Sequence, residues 1–300
     1  MPLIFRDCAT GAACRLISRR GTLLSNMPTK WPALTSPADA DVLSRIESIG
    51  FRLGDKGTHT SRTMMLSELT NLVDAIGPDA ARGAYVHAIV NDNSLAKSTY
   101  ATRKLTAQRL SELYSLDVAV PIFRMFGAMW QRDRTGRPLL AILLALARDP
   151  LLRATAKSVL ELSPGEELGR QSMTDAVRQA VGHRLSDSTL DKVVRNAASS
   201  WTQSGHLEGR SRKFRQQVHP TPACVAYALF LGYALGQRGE SLLRSEWLQI
   251  LDVKLEEAGA LAFDAKRLGF VDMVRGGGVT EISFSRMLTD PEKELIHGTN

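Results

Sequence analysis

Apolar residues recur at three- and four-residue intervals through most of the chain, and the two-residue period of a half-buried strand is confined to short stretches. Val42, Ile46 and Ile49 make the first amphipathic run, closed by Gly50. Met65, Leu69, Leu72, Val73 and Ile76 make the second, within Ser61 to Ile76, and Gly77-Pro78 ends it because proline cannot continue a helix. Ala84, Tyr85, Ala88 and Ile89 predict a third over Asp79 to Asn91. A fourth, capped by Ser94 or Ser98, is expected to reach Tyr114 and to carry Lys97, Tyr100, Arg103 and Lys104 on one side. Leu116 to Glu161 is the expected structural centre. Within it Pro138 to Ala147 is apolar nearly all round, which predicts burial on most sides. Pro220 to Gly236 has the same character.

Alternation appears from Lys213 to Val218, and again in Phe270 to Val274 and Val279 to Phe284, the last two joined by Arg275-Gly276-Gly277-Gly278. The predicted fold is therefore mainly α, with two helical domains, the C-terminal one carrying helix-turn-helix or winged-helix elements and short β-hairpins. Residues 1–38 mix Gly, Ser, Pro and Arg without a period and read as a disordered or extended arm, in which Met27 opens MPTKWPALTSPADAD as an alternative start. Ser163-Pro164-Gly165 separates a domain at 39–162 from one at 163–300. Three hundred residues suit two domains.

Ser186 to Val218 is the stretch with the clearest chemistry. Ser188 and Asp191 have the spacing of a capping box, and Leu190, Val193, Val194, Ala197 and Trp201 share one helical face. Lys192, Arg195, Asn196, Ser199 and Gln203 share the opposite face, a cationic stripe of groups that hydrogen-bond phosphates and base edges. Arg210, Arg212, Lys213 and Arg215 follow Glu208-Gly209, with Phe214 and Val218 expected inward and Lys213, Arg215 and Gln217 outward. A preceding helix with a capping box at Ser172 and Asp175 and a stripe through Met173, Val177 and Val181 completes a helix-turn-helix followed by a basic hairpin. The pattern points to duplex DNA, with phosphates held by Lys97, Arg103, Lys104, Arg210, Arg212, Lys213 and Arg215 and the groove faced by Lys192, Arg195, Asn196, Ser199 and Gln203. The last helices and hairpin repeat this order with acids on the second helix (Glu256, Glu257, Asp264), so that unit is expected to contact protein.

A net charge of +7 agrees with an anionic partner. Three cysteines, Cys8, Cys14 and Cys224, make no disulfide framework and no zinc site, which points to a reducing cytoplasm. No apolar run reaches the roughly 20 residues of a membrane span. The chain has no GxxxxGKS/T, GxGxxG after a strand, HExxH or GxSxG, so no catalytic residue and no cofactor is expected. Gly54 and Gly57 in GDKGTHTS are only a distant likeness of a phosphate loop, with the lysine out of place.

Three stretches, Ser98 to Tyr114, Leu139 to Arg153 and Leu185 to Gly209, resemble the BrxA proteins of bacterial BREX phage-exclusion systems. The shared features are a Ser-x-x-x-x-Arg helix start at Ser98 and Arg103, an aspartate within an apolar helix pair, and a Ser-x-x-Thr helix that ends at Gly205, with the hydrophobic Leu207 of the family's pattern one residue later than expected. The resemblance covers Ser61 to Arg215, about half of the chain, and stops short of the N-terminal arm and the region after Pro220. It implies a helical, non-enzymatic DNA-binding component of a defence system, working beside other proteins of that system. Two alternatives stay open. One is a helical scaffold for other defence proteins. The other is an RNA-binding module of the antitermination-factor type, which also presents a basic helical face.

Overall fold

The structure is a computed structural model and describes residues 37–297. Residues 1–36, most of the expected arm, lie outside it. The N-terminal half is helical throughout: α1 (Pro37–Ile49), a 3-10 turn at Thr58–Thr60, α2 (Leu66–Ile76), α3 (Arg82–Val90), α4 (Tyr100–Tyr114), α5 (Pro121–Arg132), α6 (Arg137–Arg148), and the short α7 (Pro150–Ala154) and α8 (Ala156–Leu160). Helix starts follow local chemistry. Thr99, not Ser94 or Ser98, caps α4 by accepting the Thr102 N–H at 3.1 Å. Proline stands in the first turn of α5, α6 and α7, where its missing N–H is no loss.

The C-terminal half adds α9 (Arg170–Val181), α10 (Asp187–Gln203), β1 (Leu207–Glu208), β2 (Phe214–Arg215), α11 (Pro222–Ala234), α12 (Glu240–Leu243), α13 (Glu246–Gln249), α14 (Leu255–Arg267), β3 (Asp272–Gly276), β4 (Val279–Ser283) and α15 (Asp290–His297). The fold is mainly α with two short antiparallel hairpins. Glu208 pairs with Phe214 in the first, and Glu167 bridges Phe214 from the other side. Bridge, helix, helix, hairpin is the order of a winged helix. The second hairpin follows α14, and an added Cβ on Gly239 would lie 3.0 Å from the Thr280 carbonyl, so here too the segment before the helices runs beside the last strand. Gly276 pairs with Val279, which leaves Gly277 and Gly278, both at positive φ, as the turn. Arg275 and Gly276 thus belong to β3 and not to the loop. No helix among the described residues is long and apolar enough to cross a membrane.

α6 is buried from Leu139 to Ala147, and every residue of α11 after Pro222 is buried too. Aromatic rings from α4, α5 and α11 fill the space around them, with Phe126 between Trp130 at 5.0 Å and Tyr227 at 6.0 Å. One hydrophobic core runs from Ile46 to Ile296 and includes Val194, Ala197 and Trp201 of α10. Ser163 to Gly165 is a surface turn. A second, smaller apolar cluster of Leu151, Val177, Leu190 and Val193 lies between α7, α9 and α10.

The two halves are tied by a buried polar cluster. The Asp149 carboxylate is sealed from solvent and accepts five hydrogen bonds. Its Oδ2 takes the Thr58 N–H at 2.6 Å, the His59 N–H at 3.1 Å and His59 Nδ1 at 2.8 Å. Its Oδ1 takes the Leu151 and Leu152 N–H groups at 2.9 and 3.1 Å, capping α7. The other ring nitrogen of His59 lies 2.8 Å from Ser200 Oγ on α10. Ser200 Oγ also accepts the Met64 N–H at 2.8 Å and donates to the Asn196 carbonyl at 2.9 Å. Burial acts to raise the Asp149 pKa, but the facing His59 ring and the backbone N–H groups outweigh it and hold the carboxyl below its ordinary range. Serine, histidine and aspartate stand here at the spacing of a hydrolase triad. All three are buried, and the hydroxyl is fully engaged, so the cluster acts as a staple.

Two outcomes follow for stability. Asp149→Ala removes one partner of a buried, hydrogen-bonded pair, and urea unfolding should show a loss of roughly 3–5 kcal/mol. His206, donating to the Ile250 carbonyl and edge-on to Trp201, is buried, and that burial pushes its pKa down to about 4. A depressed histidine contributes stability that is complete above its unfolded value near 6.5 and is lost as pH falls through about 4. Thermal unfolding between those limits should therefore show stability falling toward acid, with a shallower fall in His206→Gln.

Candidate nucleic-acid interface

Ser186 caps α10 by accepting the Thr189 N–H at 3.3 Å, so the helix starts two residues before the capping box expected at Ser188. Its apolar face is buried as the pattern predicts. Its polar face is divided. Asn196 donates through Nδ2 to the His59 carbonyl at 2.8 Å, and Gln203 Oε1 accepts the Leu66 N–H at 3.0 Å, the first N–H of α2. Both are turned onto the 57–66 segment and away from solvent, which corrects their expected place in a groove-facing stripe. Ser188, Lys192, Arg195 and Ser199 remain, spaced four, three and four residues apart along one outward line. Nor is this face free of acid. Asp191 pairs with Arg195 at 3.4 Å and with Arg170 at the start of α9.

The hairpin also sorts its cations. Gly209 makes the turn possible, since it has φ +110° and an added Cβ would lie 2.1 Å from the Arg212 carbonyl. Arg210 is exposed. Arg212 forks onto Glu167 with bonds of 2.8 and 2.5 Å and lies over the Phe214 ring. Those hydrogen bonds hold the Glu167 carboxyl below its usual range. Lys213 is half-buried, donating to Thr202 Oγ1 at 2.8 Å and the Gly209 carbonyl at 3.1 Å, and its burial lowers its pKa.

Arg215 departs from the expected outward face. Its side chain is 3% exposed and pairs with Asp252 at 2.5 Å, while the second Asp252 oxygen accepts the Val218 N–H at 3.0 Å. The alternation is shifted because Asp252, in the turn after α13, lies against that face of β2 and takes the guanidinium. Two of the three cations near α4 are also structural. Lys97 pairs with Glu68 at 3.0 Å. Arg103 reaches the Val90 carbonyl at 3.3 Å and the Lys97 carbonyl at 3.4 Å, closing the end of α3. Lys104 stays exposed, 4.7 Å from the ring of the exposed Tyr100.

What the fold brings together is a cleft of about 950 Å³ between the start of α9, the outer face of α10 and the turn of the first hairpin. Arg170, Arg195, Arg210, Arg212 and Lys213 line it, with Glu167 the one carboxylate in the lining. Met173, Val194 and Ala198 form its apolar floor. Arg170 is the residue that the sequence pattern misses. A helix start placed at Ser172 leaves it in a linker, whereas α9 begins at Arg170 itself.

No protein-family model matches the chain, and no curated protein matches it.

Arginines of the two kinds should separate in one measurement. Arg215→Ala strands the buried Asp252 and should lower unfolding stability by roughly 3–5 kcal/mol. Arg210→Ala should change it by less than about 0.5 kcal/mol. Equal losses in the two variants would contradict the assignment.

Proposed function

We propose that this chain binds duplex DNA without catalysing a reaction on it, as a component of a bacterial phage-defence system of the BREX type. The observation that carries the DNA reading is the cleft, in which five cations from α9, α10 and the hairpin turn converge on one concave surface. A helix in the major groove and a basic hairpin on the neighbouring backbone leave one phosphate strand running between them. Phosphate contacts supply affinity and register, and base edges supply preference. In this reading Arg170, Arg210, Arg212 and Lys213 hold the strand, while Lys192, Arg195 and Ser199 face the groove. The defence role rests on the resemblance of Ser61 to Arg215 to BrxA proteins, an argument by analogy alone.

A second reading, contact with other proteins, is favoured at a different surface. Leu255, Phe263, Leu268, Val274 and Val279, on and beside α14 and the second hairpin, are five of the seven large exposed hydrophobic residues among the described residues. Exposed apolar side chains gathered on one unit mark protein interfaces more often than nucleic-acid ones. The two readings are compatible, one for each winged-helix-like unit.

Titration with duplex DNA, single-stranded DNA and RNA at several salt concentrations tests the first reading. Duplex should bind best. Replacing Arg210, Arg212 and Lys213 with alanine should weaken it and make the salt slope shallower by about 0.9 for each phosphate left without its cation. Wild-type affinity and slope in that variant would move the function to the protein-contact surface, and preference for RNA would favour the antitermination-type module. Deletion of the gene from a host with the complete locus should weaken phage restriction. Unchanged restriction against several sensitive phages would sink the defence role.

A further inference from the structure

The cations of the cleft are not equivalent. Among the described residues Arg210, and Lys192 just outside the lining, have no ion-pair or hydrogen-bond partner, and Lys213 is held only by neutral oxygens. The three other arginines are already engaged. Arg212 takes both oxygens of Glu167, and Arg170 and Arg195 share Asp191. Each carboxylate sits on a framework element. Glu167 bridges to β2, and Asp191 is in the second turn of α10. All five of these side chains are partly open to water, at 40 to 70% exposure, so the pairs are exchangeable.

We propose that Glu167 in the cleft and Asp191 behind its arginines are specificity-determining residues, internal counter-anions that hold Arg170, Arg195 and Arg212 until a phosphate in the correct position replaces them. Their role presupposes that the cleft is a nucleic-acid site. A duplex in a random register meets Lys192, Arg210 and Lys213 alone, together with two carboxylates that repel its phosphates. A duplex in register seats phosphates between the arginines and draws them off their carboxylates. Affinity that depends on phosphate position is a form of discrimination, because repulsion at wrong placements penalises competitors as effectively as attraction rewards the target. The same arrangement lowers sequence-independent binding, which otherwise scales with the number of free cations.

Asp191→Asn and Glu167→Gln, singly and together, test the role. Each protein is titrated at several salt concentrations with a random-sequence duplex and with the duplex that the wild type enriches from a random pool. The double variant should bind the random duplex roughly tenfold or more tightly, with a salt slope steeper by about 0.9 for each arginine recruited. Its preference for the enriched duplex should fall by a similar factor. Asp191→Ser, with thermal unfolding of every variant, separates a lost charge from a lost fold, since both neutral replacements at 191 should act alike. Random-duplex affinity that is unchanged or weaker in folded variants overturns the role of the carboxylates and leaves the DNA reading intact. A wild type that binds no nucleic acid at any salt overturns both.

Discussion

Burying a carboxylate is costly unless donors replace its water, and Asp149 determines much of this fold through that requirement. Its five donors come from the 3-10 turn, from the His59 ring and from the start of α7. Meeting all of them at once fixes the loop before α2 against α7. The far side of His59 then fixes both against α10 through Ser200. Gly57 is part of the same constraint, since a Cβ there would lie 2.1 Å from Asp149 Oδ1. Met65 is another part. It holds a left-handed backbone conformation, unfavourable for its side chain, while Ser200 and Tyr114 clamp the N–H and carbonyl of Met64 and Gln203 takes the N–H of Leu66. The outward line on α10 is thus positioned by groups that never reach the surface.

Cations divide between the interior and the cleft by what surrounds them, not by where they fall in a pattern. Arg148 is half-buried and spent on the Glu112 and Gly50 carbonyls, and desolvation of its guanidinium lowers its pKa to about 10. Arg215 is spent on Asp252. Among the described residues the charges inside the fold balance, Arg153 and Arg215 against Asp149 and Glu292, so burial leaves the net cationic excess unchanged. The field is instead concentrated by shape, because the cleft gathers charges from segments some forty residues apart.

Much of the helical architecture was legible because apolar period and helix burial are the same fact seen twice, as in Leu190, Val193, Val194, Ala197 and Trp201. Starts were legible only to within two or three residues. Runs such as Ser98-Thr99 and Ser186-Asp187-Ser188 hold several competent caps, and packing selects among them. The outer face of α10 was half legible. Lys192, Arg195 and Ser199 face outward, but Asn196 and Gln203 turn inward because the 57–66 segment lies against them, a neighbour more than 130 residues away. Arg215 was misread because two-residue alternation gives a strand two faces without saying which is buried, and the Asp252 carboxylate that draws it inward is 37 residues away. The staple was invisible for the same reason, since His59 and Asp149 are 90 residues apart and nothing in the sequence joins the stretches that hold them.

The seating of Trp201 in the main core bears on how this chain can change over time. Winged-helix units strung on linkers are portable. They can be duplicated, lost or moved into other proteins because each keeps its own interior. Here Trp201 on α10 donates to Thr155, and its ring sits in the same apolar interior as α6 and α11. A fragment carrying α9, α10 and the first hairpin alone would expose that face and leave Ser200 without His59. α10 and the helical platform beneath it are therefore coupled, and a change in the platform is felt at the cleft.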